Sequence, residues 1–177
     1  NIGRFAALVA GLPETTPGTT VDRQCGSSQQ ALQFAAATVM AGVQDIVIAA
    51  GIESMTRVPM GLPWTLAAKH GFGSWRSPGF DALYGDQPIT QFAGAELLAR
   101  KYGFSREQLD AFALESHRRA AAATQEGKFD AEIVPINVTT PDGETIVHRT
   151  DEGIRFDANL EKMASMKTLQ EGGVITA

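Results

Sequence analysis

Val21-Asp22-Arg23-Gln24-Cys25-Gly26-Ser27-Ser28-Gln29-Gln30-Ala31 is the stretch on which the fold and the chemistry of this chain turn. A polar, extended approach from Thr19 to Gln24 gives way at Cys25 to Gly26-Ser27-Ser28 and an alanine-rich run. The pattern predicts a strand over 19–24 and a helix over Ser27–Ala41, ended by Gly42. Cys25 is the only cysteine in 177 residues, and it stands at the helix start. There the first backbone N–H groups have no intrahelical partner and the positive end of the macrodipole favours an anion, so a thiolate is stabilised. The competing reading of a lone cysteine is a small buried hydrophobe with no chemistry.

Outward from that stretch, Asp45 to Ala50 is a short apolar run rich in β-branched residues, expected to be a strand buried on both faces. Strand, helix and strand predict a βαβ unit with a right-handed parallel crossover. Upstream, Ile2, Phe5, Ala6 and Val9 keep a 3.6-residue period, so residues 2–11 are expected to be a helix closed by Gly11 and Pro13, with 15–18 as a linker. After Met55 the chain is broken by Pro59, Gly61, Pro63, Gly71, Gly73, Pro78, Gly79 and Pro88, with Trp64, Phe72, Trp75, Phe80 and Tyr84 interspersed. The aromatics argue for an ordered but irregular excursion, and aromatics among glycines more often pack a loop than touch a ligand. Residues 91–102 are expected to be a helix. Ser105 with Gln108 forms a capping box for a second helix to about Glu126, with Leu109, Phe112, Ala113, Ser116 and Ala120 on one face and a solvated face carrying Glu107 and Arg118. Ala131–Val138, the turn Pro141-Asp142-Gly143 and Thr145–Arg149 predict a hairpin.

The segment around Cys25 resembles the acyl-cysteine segment of the thiolases, the enzymes that cleave or form 3-ketoacyl-CoA. A second block agrees: Asp45 to Thr56, ending Gly51-Ile52-Glu53-Ser54-Met55-Thr56, resembles the family's strand and glycine turn with its Glu-Ser-Met signature. A third, Ser105 to Ala113 with Ser116-His117, resembles the helix of the thiolase loop domain, and Glu132-Ile133-Val134-Pro135 follows it as in the family. With the ending Gly173-Val174-Ile175-Thr176-Ala177, the resemblance covers essentially the whole chain. It implies an α/β thiolase-like fold, a βαβ core with parallel strands, plus an inserted α+β loop domain. The expected division is 1–56 in the N-terminal core domain, 57–168 in the loop domain and 169–177 as a return strand into the core. Against the family's length, the start of the N-terminal domain and the whole C-terminal domain are expected to lie outside this chain.

Composition sets outer bounds. Hydrophobic content of 44% and charged content of 20% fit a globular protein. No apolar run approaches the roughly 20 residues that span a bilayer, so no membrane partner is expected. A formal charge of −5 gives no support to a nucleic-acid partner, which calls for a basic face. One cysteine excludes an internal disulfide and suits a reducing compartment, so a cytoplasmic location is expected.

A thiolase needs two acyl transfers and one proton abstraction at carbon. Sulfur suits the transfers because a thiolate is both a good nucleophile and a good leaving group. The resemblance makes Cys25 the catalytic nucleophile and its backbone N–H half of an oxyanion hole. For the base, His70, His117 and His148 are all available in principle, and none sits in a context that marks it. The resemblance instead places the activating His and a second, acid-base Cys outside this chain, so residues 1–177 alone are not expected to turn over. Thr150-Asp151-Glu152-Gly153-Ile154-Arg155 resembles the segment whose Arg lies against the nucleotide of coenzyme A, which makes Arg155 the candidate binding residue; its alternative is a solvated loop cation. No metal and no cofactor are implied, with acyl-CoA and CoA as substrates and a homodimer or homotetramer as the usual assembly. Arg23 to Gln30 looks more like degradative and steroid-chain thiolases than acetoacetyl-CoA synthases, and Tyr84-Gly85 lacks the His-Met-Gly of many biosynthetic members. A biosynthetic acetyl-CoA acetyltransferase and a non-catalytic CoA-binding subunit remain the rival functions.

Overall fold

The computed structural model describes residues 1–176. Its elements run α1 (Ile2–Val9), a single 3-10 turn (Gln24–Gly26), α2 (Ser27–Met40), α3 (Leu62–Lys69), α4 (Pro78–Tyr84), α5 (Gln91–Tyr102), α6 (Arg106–Gln125), β1 (Ile136–Thr139), β2 (Thr145–His148) and α7 (Leu160–Ala164). The chain divides into two compact units, Asn1–Pro78 and Gly79–Ala177.

In the first unit, α1 is tied to the segment that follows it. Asn1 caps the helix through Oδ1, which accepts from the Arg4 N–H, while its Nδ2 donates to the Gly18 carbonyl at 2.6 Å. The Arg4 guanidinium donates to the carbonyls of Thr16 and Glu14. Gly18 has to be glycine here, since a Cβ would fall 2.5 Å from the Arg4 backbone nitrogen. The helix at 27–40 forms as the alanine pattern requires. Neither flanking stretch, 19–24 nor 45–50, is a strand, which corrects both assignments. A strand exists through its ladder, and among the described residues no chain runs beside these segments to supply one. Ile46 and Ile48 are accordingly 88% and 74% exposed instead of buried on both faces.

The irregular excursion holds two short helices that the breaker residues concealed. Pro63 lies in the first turn of α3 and Pro78 opens α4, positions where proline's missing N–H costs nothing because that group would be unpartnered anyway.

In the second unit the helix caps are as the sequence requires. Thr90 caps α5, Gly103 closes it at φ 68°, and both halves of the Ser105/Gln108 capping box are made at the head of α6. The hairpin is antiparallel, with Ile136 opposite His148 and Thr139 opposite Thr145; β1 is shorter than expected, beginning at Ile136. The short helix α7 carried no sequence signal that was read. Phe112, expected on the packed face of α6, is 80% exposed and borders an open groove with Ser116, Ala120, Ala123 and Phe129.

Ala93 and Ala99 are buried on the inner face of α5, with Glu96 between them, 3% exposed. Its carboxylate accepts from the Val174 N–H at 2.7 Å and the Ile175 N–H at 3.1 Å. Small alanines let the returning chain close on the helix, and a Cβ on Gly173 would lie 2.9 Å from that carboxylate. The return is completed by Leu169 donating to the Ile175 carbonyl at 2.9 Å and an antiparallel bridge between Thr168 and Thr176. Ala177, the last residue of the expected return strand, lies outside the described residues. No helix among the described residues is long and apolar enough to cross a membrane.

On the solvated side of α6, Arg118 grips Glu115 with two hydrogen bonds, at 2.7 and 2.9 Å, and Arg119 adds a third at 2.6 Å. These bonds, Arg118's first, pull the Glu115 carboxyl from its ordinary 4.5 down to about 2. Because the folded group titrates below its unfolded counterpart, the interaction is fully present above pH 4.5 and is lost as pH falls through about 2. A carboxyl-carbon NMR titration should place the Glu115 midpoint near 2, and a midpoint above 4 would show that the guanidinium grip is not held in solution.

Candidate active site

The Cys25 thiol is exposed. It sits in the middle of the 3-10 turn, one residue before the α2 N-cap, Gly26. Gln24, immediately before it, has φ 47°, the one positive φ outside glycine among the described residues. A β-type or helical backbone would be cheaper by roughly 1 kcal/mol or more, so the surrounding bonds must impose this conformation.

Those bonds come from the residues of the motif itself. Asp22 Oδ1 accepts from the Gln24 N–H at 3.0 Å. Ser27 Oγ accepts from the Arg23 N–H at 2.8 Å and donates to the Gln24 carbonyl at 2.6 Å, bracketing the strained residue from both sides. The Arg23 guanidinium donates to Gln30 Oε1 at 2.8 Å, one helical turn further on. The polar residues around Cys25 therefore build the turn that presents it. Gly26 is not demanded by neighbours inside this chain, since a Cβ would meet only the Arg23 side chain at 3.7 Å; its effect is to leave the space beside the thiol open.

Gly51, from the second motif, packs against the same helix start. A Cβ there would fall 1.8 Å from Ser28 Oγ and 3.1 Å from Ser28 Cβ, so the glycine admits the backbone at 51 against the first turn of α2. The two blocks recognised separately in the sequence thus meet beside Cys25.

The second unit holds Arg155. Its side chain is exposed, next to a shallow groove of about 350 Å³ that is lined by 146–152, Ile154 and Phe156 and not by Arg155 itself. Its backbone N–H donates to His117 Nδ1 at 3.2 Å. The other histidines are placed as follows: His70 is the C-cap of α3 and stacks on Phe72 at 6.3 Å, and His148 ends β2 opposite Ile136. Among the described residues no group of three or more His, Cys, Asp or Glu side chains is arranged to hold a metal ion.

The family model described as the thiolase N-terminal domain matches residues 1–177. This chain belongs to the thiolase family. It is 45% identical to the steroid 3-ketoacyl-CoA thiolase FadA6 of Mycobacterium tuberculosis over 179 residues, covering 100% of this chain and 42% of that protein. With a β-ketoadipyl-CoA thiolase of Acinetobacter baylyi it shares 39% identity over 191 residues, covering 100% of this chain and 46% of the relative. The crystal structure of the Bacillus anthracis acetyl-CoA acetyltransferase superposes with a TM-score of 0.80 at 35% identity, covering 99% of this chain and 45% of that one. The fold is therefore thiolase-like α/β, although residues 19–24 and 45–50 have no ladder here. The chain spans less than half the length of the curated relatives it matches.

Sequence reasoning missed three thiolase-chain residues that the structure singles out. Gln24 carries the strain beside the nucleophile, Glu96 clamps the returning chain, and His117 receives the Arg155 N–H. A glutamate or a histidine on a long polar helix looks like a solvated side chain, and the one hint for Glu96 was Gly173 opposite it.

Proposed function

We propose that the full-length protein is a thiolase-type acyltransferase that cleaves 3-ketoacyl-CoA with CoA through an acyl-cysteine on Cys25. The observation that carries this is the exposed thiol held on a strained turn at the head of α2 by its own motif residues. In the forward direction the Cys25 thiolate attacks the 3-keto carbon, and its oxygen gains negative charge. The Cys25 N–H is suited to receive that charge as one oxyanion donor. The bond between carbons 2 and 3 then breaks, its electrons pass to the acetyl-CoA enolate, and protonation at carbon 2 releases acetyl-CoA. The shortened acyl group remains as a thioester on Cys25. Attack by the thiolate of a second CoA returns the Cys25 thiolate and frees acyl-CoA. None of His70, His117 or His148 is assigned the proton transfers, and no cofactor beyond these substrates enters.

A degradative role with chains longer than acetoacetyl draws support from relatives named steroid 3-ketoacyl-CoA thiolase and β-ketoadipyl-CoA thiolase. The biosynthetic alternative has its own support in the likeness to an acetyl-CoA acetyltransferase. Turnover measured over a series of 3-ketoacyl-CoA chain lengths separates them: a profile restricted to acetoacetyl-CoA would favour the biosynthetic direction. We place the protein in the cytoplasm, as a homodimer or homotetramer, with 1–56 and 169–177 serving the core domain and 57–168 the loop domain.

Arg155 positions the nucleotide end of CoA. A guanidinium stacks on a purine or forks onto a phosphate, where lysine offers a point charge. That end is remote from the bond being broken, so the effect belongs in KM. Arg155→Ala is expected to raise KM for CoA thioesters by about 5- to 30-fold and to spare pantetheine thioesters that lack the nucleotide. An equal loss on both would mean that Arg155 supports the fold and does not contact the nucleotide.

A further inference from the structure

We propose that α6 is the splint that sets the Arg155 arm, with His117 and Arg106 as its positioning residues; this rests on the reading of Arg155 as the residue at the nucleotide end of CoA. Arg106 and His117 are eleven residues apart, just over three helical turns, so they share one face of α6 and stand about 16 Å apart along its axis. Asp110, one turn from Arg106, shares that face. Each end of the stripe holds one end of the same stretch of chain. At the far end, His117 Nδ1 accepts from the Arg155 N–H at 3.2 Å. At the near end, the Arg106 guanidinium donates to the Met163 carbonyl and to the Met166 carbonyl, at 3.3 Å for the latter.

Arg106 is itself held. Its Nε donates to both oxygens of the buried Asp110, at 2.9 and 2.8 Å, which orients the planar fork toward the carbonyls of Met163, in α7, and Met166, just after it. Between the two anchors, α7 packs directly on α6. Residues 155–166 are thus tied at both ends and supported between. The arm has little regular structure of its own, so without the anchors Arg155 would sample many orientations and binding would carry the cost of ordering it.

His117 does this work as a hydrogen-bond acceptor through Nδ1. A nitrogen that accepts a backbone N–H carries no proton, so the proton resides on Nε2. An asparagine at 117 can place Oδ1 close to where Nδ1 stands and accept the same N–H, whereas alanine cannot. Both are compatible with a half-buried helical position, so folding is not in question.

The test compares KM for CoA thioesters and for pantetheine thioesters in the full-length protein and its variants. His117→Ala is expected to raise KM for CoA thioesters by about 3- to 10-fold with kcat and the pantetheine reaction unchanged, the range expected for one lost hydrogen bond. His117→Asn should restore most of it, and His117→Ala added to Arg155→Ala should cost nothing further. If Arg155→Ala is costly while His117→Ala is silent, or if His117→Ala penalises both substrates alike, the splint is overturned and the role of Arg155 stands. If Arg155→Ala itself leaves KM unchanged, the role of Arg155 falls and the splint with it. Independently of turnover, nitrogen NMR of the full-length protein should show His117 with an unprotonated Nδ1. A proton found on Nδ1 overturns the anchor.

Discussion

Replacing Cys25 by alanine in the full-length protein is expected to lower 3-ketoacyl-CoA thiolysis by about 10⁴-fold or more, because no other group on this turn can carry the acyl chain. Cys25→Ser should recover almost nothing, since an alkoxide is scarce at neutral pH where a thiolate is not. The exposed thiol fills no core space, so both variants should fold with unchanged circular dichroism. Residual activity within about tenfold of the parent in Cys25→Ala would show that the nucleophile lies elsewhere. The same turn explains why the motif is polar. Asp22 and Ser27 act on the backbone of Gln24 and hold it at φ 47°, and it is this backbone that aims the next residue outward.

Glu96→Ala should cause the largest loss of stability in the second unit, roughly 2 to 4 kcal/mol. Truncation removes two charge-assisted hydrogen bonds and leaves the Val174 and Ile175 N–H groups without their acceptor in a partly buried site. Glu96→Gln should cost about half as much, because its single amide oxygen can accept one N–H while the NH₂ opposes the other. Urea denaturation followed by the two variants checks this. A loss below about 0.5 kcal/mol for Glu96→Ala would mean that the returning chain is held by the Thr168–Thr176 bridge and the Leu169–Ile175 bond instead.

What the sequence disclosed follows the range of the interactions involved. Helices α2, α5 and α6 and their caps rest on contacts within a few residues. The Ser105/Gln108 box could therefore be placed, and the helix over 91–102 bounded, from local pattern alone. The β-branched run at 45–50 has the composition of a strand, but pairing depends on a neighbour that composition cannot supply. α3 and α4 were hidden because proline breaks a helix in its interior and tolerates its first turn, and only the register distinguishes the two. At the candidate site, the placement of Cys25 at a helix start was legible from its flanks. Glu96 and His117 were not, since each acts on backbone 78 and 38 residues away along the chain. Neither partner announces itself by residue type, because the group that is recognised is a main-chain N–H.

The central claim is a covalent acyl group on one sulfur, and it is tested by trapping that intermediate. The full-length protein incubated with isotopically labelled acetyl-CoA, quenched in acid and digested, should carry the acetyl mass on the peptide containing Cys25. The label should leave when CoA is added, and it should be absent from Cys25→Ala. Label retained at the same level in Cys25→Ala, or found on a peptide that does not contain Cys25, would contradict the assignment.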